Sequence, residues 1–192
     1  MSRSRTVTYV VLAAAGVVLG WTLYALPHRQ NSATVRAGVV PPPAPAAPAA
    51  PGRKIKAHLF YVSDDGMRLT SVERDITYGE SAADQAREII AAQVAAVTEP
   101  QVSAVPRGTQ LRALFITDKG EAFVDLSREV VSAHPGGSIN ELLTVYTFVN
   151  ALTANLPAIQ SVQLLVDGKE MDTLAGHVDL RRPLVKNLSW VQ

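Results

Sequence analysis

An α+β fold, with two helices packed on a mostly antiparallel or mixed sheet, is predicted by three features of the sequence. Short runs of strand formers come in pairs around Asp-Gly or Lys-Gly turns, and two longer segments repeat apolar residues at helical spacing. Their order is strand, strand, helix, strand, strand, helix, strand, and each helix carries one apolar stripe that needs a sheet to cover it.

The elements follow in order. Residues 56–62 (KAHLFYV) are rich in strand formers, Asp64-Asp65-Gly66 is a turn signal, and 67–74 alternates, which makes a hairpin. Ser81-Ala82-Ala83-Asp84 resembles a capping box, in which the serine oxygen accepts a first-turn amide. A helix is expected from there, with Ala86, Ile90, Val94 and Val97 as its apolar face, Asp84, Arg87, Glu88 and Gln93 on other faces, and Pro100 marking its end. Residues 111–116 (LRALFI) and 121–126 (EAFVDL), joined by Thr117-Asp118-Lys119-Gly120, form a second hairpin. Ser138-Ile139-Asn140-Glu141 reads as a second capping box, and Leu142, Val145, Tyr146, Val149 and Leu152 as the stripe of helix two, closed by Pro157. Residues 161–166 (SVQLLV) are a strand, and Asp167-Gly168 turns the chain before 169–173, where Lys169 is a solvated charge.

Composition restricts function. The 18 Lys and Arg nearly balance 17 Asp and Glu, so no large field of one sign exists to hold nucleic acid. With 0 Cys there is no disulfide, thiolate metal site, cysteine nucleophile or lipidated cysteine.

Four segments are expected. Residues 1–5, with Arg3 and Arg5, form a cytoplasmic stub, and 6–26 (TVTYVVLAAAGVVLGWTLYAL) carry no charge. About 20 helical residues cover the ~30 Å hydrocarbon layer, so 6–26 reads as a transmembrane signal anchor. The basic end stays inside, which places the rest of the chain outside the cell (inner) membrane as an extracytoplasmic or periplasmic domain. A cleavable signal peptide is the competing reading, with Leu23 and Ala25 as a mediocre cleavage context. Residues 27–53 form a Pro/Ala-rich linker, PPPAPAAPAAP at its heart, which favours an extended spacer over a ligand for a proline-recognising groove. Residues 54–188 are the folded domain.

The words LFYVSDDGMRLTSVERDI, VPRGTQLRALFITDKGEAFVDLSREV, HPGGSINELLTVYTFVNAL and VQLLVDGKEMDTLAGHVDLRRPL stand in this order over about Leu59 to Pro183. Together they resemble the GerMN domain of bacterial sporulation and germination proteins and envelope lipoproteins. The resemblance implies a small module similar to the ring-building motifs of secretion and sporulation complexes, one that meets other proteins through sheet and helix surfaces. It implies no chemistry. The chain departs from the best-known members in having one copy of the domain and no lipidated cysteine.

Asp125, His134, Glu141, His177 and Asp179 are the polar groups that a hydrolytic or metal site would draw on. Their spacing matches no zinc or nucleophile motif; Glu141 is explained by the capping box and Asp125 by amides at a strand end. No catalytic, cofactor or metal residues are therefore assigned. His134, Gly136, Gly137 and Ser138 are the candidate binding residues, because their amides lead into a helix N-terminus, although the glycines equally serve an awkward turn. The expected function is non-enzymatic: a membrane-anchored domain that binds other envelope proteins in a scaffold or assembly role. The alternative is a peptidoglycan-binding or wall-remodelling factor, which would bring two of Asp125, Glu141, Asp167, Asp172 and Asp179 within about 5–9.5 Å in a cleft. A second copy of the chain is a further candidate partner, through ring or oligomer formation.

Overall fold

The computed structural model describes residues 52–192, which lie within one compact unit, Ala49–Gln192. The expected stub, anchor and most of the linker fall outside the described residues. Among the described residues no helix is long and apolar enough to cross a membrane.

The first hairpin consists of β1 (Lys54–Val62) and β2 (Leu69–Thr77), antiparallel without a register shift. β1 begins two residues before the expected 56–62, and β2 starts at Leu69 and runs past the expected 67–74 to Thr77, since Lys54 and Asp75 lie on a solvated face where polar residues carry no strand signal. Helix α1 (Ala82–Val94) starts at the expected cap: Ser81 Oγ accepts the Asp84 N–H at 3.1 Å and donates to Asp84 Oδ2 at 2.6 Å. It stops at Val94, before Val97, and buries Gln85, Ala86, Ile89, Ile90 and Gln93. Gln93, expected on a polar face, is fully buried.

The second hairpin, β3 (Leu111–Ile116) and β4 (Glu121–Leu126), has the expected bounds, with a bulge at Arg112 between Leu111 and Ala113. A short helix α2 (Glu129–Ser132) occupies a stretch to which the sequence pattern assigned no element, and α3 (Ser138–Asn155) follows. Strand β5 (Ser161–Val166) returns parallel to β4. It also pairs antiparallel with two short strands, β6 (Lys169–Glu170) and β7 (Leu184–Val185). A 3-10 turn, Leu188–Trp190, leads to Gln192, whose N–H donates to Leu69 O at 2.9 Å.

The α+β class is confirmed, as two sheets: the β1–β2 pair and a mixed five-stranded sheet with the path β3-β4-β5-β6 and β7 beside β5. Helix α3 touches β1 and β5, and α1 touches β1, β2 and β3, so both long helices are shared between the sheets. That position explains why α3 is buried nearly all round, Leu143, Val145, Phe148, Val149 and Leu152 lying with the inward rows Ala122, Val124, Leu126 and Val162, Leu164, Val166 in the core. Each large side chain buried this completely contributes about 1.5–3 kcal/mol.

The turn Asp167-Gly168 needs positive φ at both positions (50° and 75°), a two-residue hairpin geometry that Asp-Gly adopts with least strain.

Candidate functional site

Helix α3 does not begin as a capping box. Its N-cap is Gly137, held at φ 86°, and no side chain caps the first turn. Ser138 is already inside the helix, and Glu141 turns into the protein. Its carboxylate is fully buried: Oε1 accepts the Leu174 N–H at 2.8 Å, and Oε2 accepts the His177 N–H at 2.8 Å and faces His177 Nδ1 at 3.1 Å. Burial pushes the carboxyl up, but the N–H groups of Ala175, His177, Val178 and Leu174 more than offset this, and its pKa falls below the ordinary 4.5. Glu141 is thus the anchor of the 173–178 turn, and the capping role expected for it is overturned. The demand of that turn's amides, some of them 33 residues away along the chain, outweighs the local option.

The His134 loop lies beside this anchor. The Gly136 N–H donates to His134 Nδ1 at 2.9 Å, which leaves the ring proton on Nε2, 3.2 Å from Thr144 Oγ1. Asn140 Nδ2 donates to Gly136 O at 2.8 Å, so both glycine polar groups serve the loop itself. Burial lowers the His134 pKa below 6.5, against the opposing pull of the Glu141 charge. His134, Gly136, Gly137 and Ser138 are therefore neighbours at the start of α3, with Gly137 and Ser138 exposed.

These two shifts act on stability in the same direction. Because folded His134 is harder to protonate than the unfolded residue, stability is complete above about pH 6.5 and falls as pH drops toward the lowered value. Glu141 adds a second loss, beginning as pH falls below about 4.5 and completed through its lowered folded value. Urea midpoints measured from pH 8 to pH 4 should hold level and then decline below pH 6.5, with the first part of the decline removed by His134→Gln. A midpoint that rises on acidification contradicts this assignment.

A second polar cluster forms on the opposite sheet surface. The bulge re-aims Arg112, whose Nε donates to Asp125 Oδ2 at 3.2 Å and Nη1 to Asp167 Oδ1 at 2.6 Å. Asp125 Oδ1 accepts the Gly168 N–H at 2.7 Å, the amide role expected of it. Asp125 and Asp167 are brought together, but the guanidinium stands between them, in the space that a water or sugar oxygen would need. Asp179 lies in an exposed turn, where the Arg181 side chain and N–H hold its carboxyl well below the usual range.

Two surface clefts adjoin the end of α1. One, of about 490 Å³, runs beneath the 95–108 loop past Val97, Glu99, Gln101, Val102 and Arg107. The other, of about 250 Å³, lies between Tyr61, Arg74 and Ile76 of the hairpin and Ala92 and Ala95. None of Asp125, Glu141, Asp167, Asp172 and Asp179 lines either cleft.

The sequence reading missed two carboxamides that close the outer edge of β1. Gln93 accepts the Phe60 N–H at 2.9 Å and donates to Phe60 O at 2.8 Å; Asn155 does the same for His58, at 2.8 Å both ways. Val62 N–H then donates to Val102 O at 2.8 Å. These bonds stand in for a strand, which is why β1 ends a two-stranded sheet. The only sequence signal was that both residues are uncharged amides within helices.

No curated protein sequence matches the chain. Among solved structures, it is similar to a putative lipoprotein from Clostridium perfringens, at 22% identity, TM-score 0.49, with 69% of this chain and 88% of that chain covered. It is also similar to the tandem GerMN domains of the sporulation protein GerM from Bacillus subtilis, at 16% identity, TM-score 0.54, covering 69% of this chain and 46% of that two-domain chain. The first GerMN domain of the same protein gives TM-score 0.53 at 16% identity, with 98% of that chain covered. At these identities the likeness to the two GerM structures shows a shared fold. The family model described as "Germane: Sporulation and spore germination" matches residues 58–172, from within β1 to just before the Glu141-anchored 173–178 turn, and by that match, over more than half of the sequence, the chain belongs to the Germane (GerMN) family.

Proposed function

We propose that this GerMN domain is a docking module of the bacterial envelope, held to the inner membrane by residues 6–26 and binding other envelope proteins without catalysing a reaction. One observation carries the reading. The outward face of the five-stranded sheet presents Phe115, paired across strands with Phe123, together with Leu165 and Val185; Phe115 is 62% and Val185 64% exposed. Exposed apolar side chains gathered on one sheet face are what a protein partner covers. The carboxylates that a hydrolase would need are meanwhile engaged: Glu141 by backbone amides, Asp125 by Arg112 and the Gly168 amide, Asp179 by Arg181. The family's sporulation and germination setting accords with assembly work at an envelope. The start of α3, at His134, Gly136, Gly137 and Ser138, with Gly137 and Ser138 exposed, is the second surface assigned to partner contact.

Affinity capture from envelope extract with the full-length chain, followed by the Phe115→Glu variant, tests this. A specific envelope protein should be retained by the native chain and reduced about tenfold or more by the variant, the effect of losing an aromatic anchor. Sedimentation with purified peptidoglycan, unaffected by Phe115→Glu, would favour wall binding in its place.

A further inference from the structure

The two long edges of the β1–β2 hairpin are treated differently. The bonds of His58 and Phe60 to Asn155 and Gln93 show that these residues point their backbone groups away from β2. In the same register their partners Glu73 and Ser71, and likewise Asp75 opposite Lys56, point theirs away from β1. At the ends of β2 the outward carbonyls are taken, Leu69 O by Gln192 N–H at 2.9 Å and Thr77 O by Gln85 Nε2 at 3.3 Å. Between those closures the outward N–H and C=O of Ser71, Glu73 and Asp75 have no partner among the described residues, and all three residues are exposed. There is no proline, glycine or bulge in this stretch to bend it out of use.

We propose that this open edge of β2 receives an extended segment of a protein partner as an added strand, one with Lys or Arg at alternate positions. The charge on the edge selects the occupant. Glu73 makes no ion pair with a described residue, and Asp75 has only a solvent-exposed contact with Lys56 at 3.6 Å. Both carboxylates project from the same face of the strand, two residues apart, so cationic side chains at i and i+2 of an incoming strand fall opposite them. A second copy of β2 paired antiparallel about its centre would set Glu73 against Glu73, which disfavours self-association. The proposal rests on the docking reading above and names the partner chemistry for a third surface, distinct from the Phe115 face and the start of α3.

Hydrogen exchange of the full-length chain, read by mass spectrometry, tests it with a synthetic peptide, acetyl-Thr-Lys-Val-Lys-Val-Lys-Thr-amide, at millimolar concentration. In the free chain the amides of Ser71, Glu73 and Asp75 should exchange fast and those of Val72 and Arg74 slowly. The peptide should slow the fast set about tenfold or more, whereas its counterpart with Glu in place of Lys should not. Glu73→Pro should abolish the protection with the thermal midpoint nearly unchanged, because that N–H lies outside the β1–β2 ladder. Glu73→Lys with Asp75→Lys, which leaves the backbone intact, should transfer the preference to the acidic peptide. The proposal is overturned if the fast set is already protected in the free chain, if both peptides protect equally, or if neither does. A Glu73→Pro chain that still captures its envelope partner while Phe115→Glu does not would sink the edge and leave the docking reading standing.

Discussion

Glu141→Leu is expected to destabilise the domain by about 3–5 kcal/mol, the cost of removing one member of a buried charged network and orphaning the amides that faced it. Leucine fits the apolar surroundings but accepts nothing from the Leu174 and His177 N–H groups, which stay buried or half-buried. Glu141→Gln should fall between the two, at roughly half that loss, since one carbonyl oxygen still accepts while the new NH2 faces other donors. Equilibrium urea unfolding measures both. A Leu variant within about 1 kcal/mol of the native chain would mean that the 173–178 turn holds itself.

Gln93→Leu carries the second large effect, about 2–4 kcal/mol, because the Phe60 N–H and C=O lose their partners in a buried place. Asn155→Ala makes the matched comparison. It breaks the same pair of bonds to His58, but His58 is exposed and water replaces them, so about 1 kcal/mol or less is expected. The contrast, together with faster hydrogen exchange at Phe60 in the Gln93 variant alone, distinguishes a burial effect from general loosening. Equal losses at the two sites would refute it.

Where local chemistry decides the structure, the sequence was readable. The hairpin Leu111–Ile116 and Glu121–Leu126, the strand Ser161–Val166 and the Ser81 cap follow from alternation, turn residues and one side-chain bond three positions away. The failure at Ser138 is instructive because Ser81-x-x-Asp84 and Ser138-x-x-Glu141 look alike. The first faces solvent and caps its own helix. The second follows Gly137, whose left-handed backbone moves the cap back by one residue and frees Glu141 for amides 33 and 36 residues ahead. Nothing in a window of four residues states that requirement. Gln93 failed for the same reason: its polarity was correctly seen, but the strand edge it serves lies 33 residues upstream. The GerMN resemblance, carried by words spread from Leu59 to Pro183, gave the fold and the family but left these contacts unnamed.

Strand β5 is the hub of the larger sheet, with β4 parallel on one side and β6 and β7 sharing the other. Both hairpins close between residues near in sequence, but the β4–β5 ladder joins Glu121 to Ser161, roughly forty positions on, and must enclose all of α3 before its first bond forms. As the chain emerges N-terminus first, β4 therefore waits with one bare side until β5 arrives. Termination between Leu126 and Ser161 would leave Glu121–Leu126, with Ala122, Val124 and Leu126 facing where the core should be, as an apolar strand open along one edge, the kind of half-built surface on which chains stick to one another.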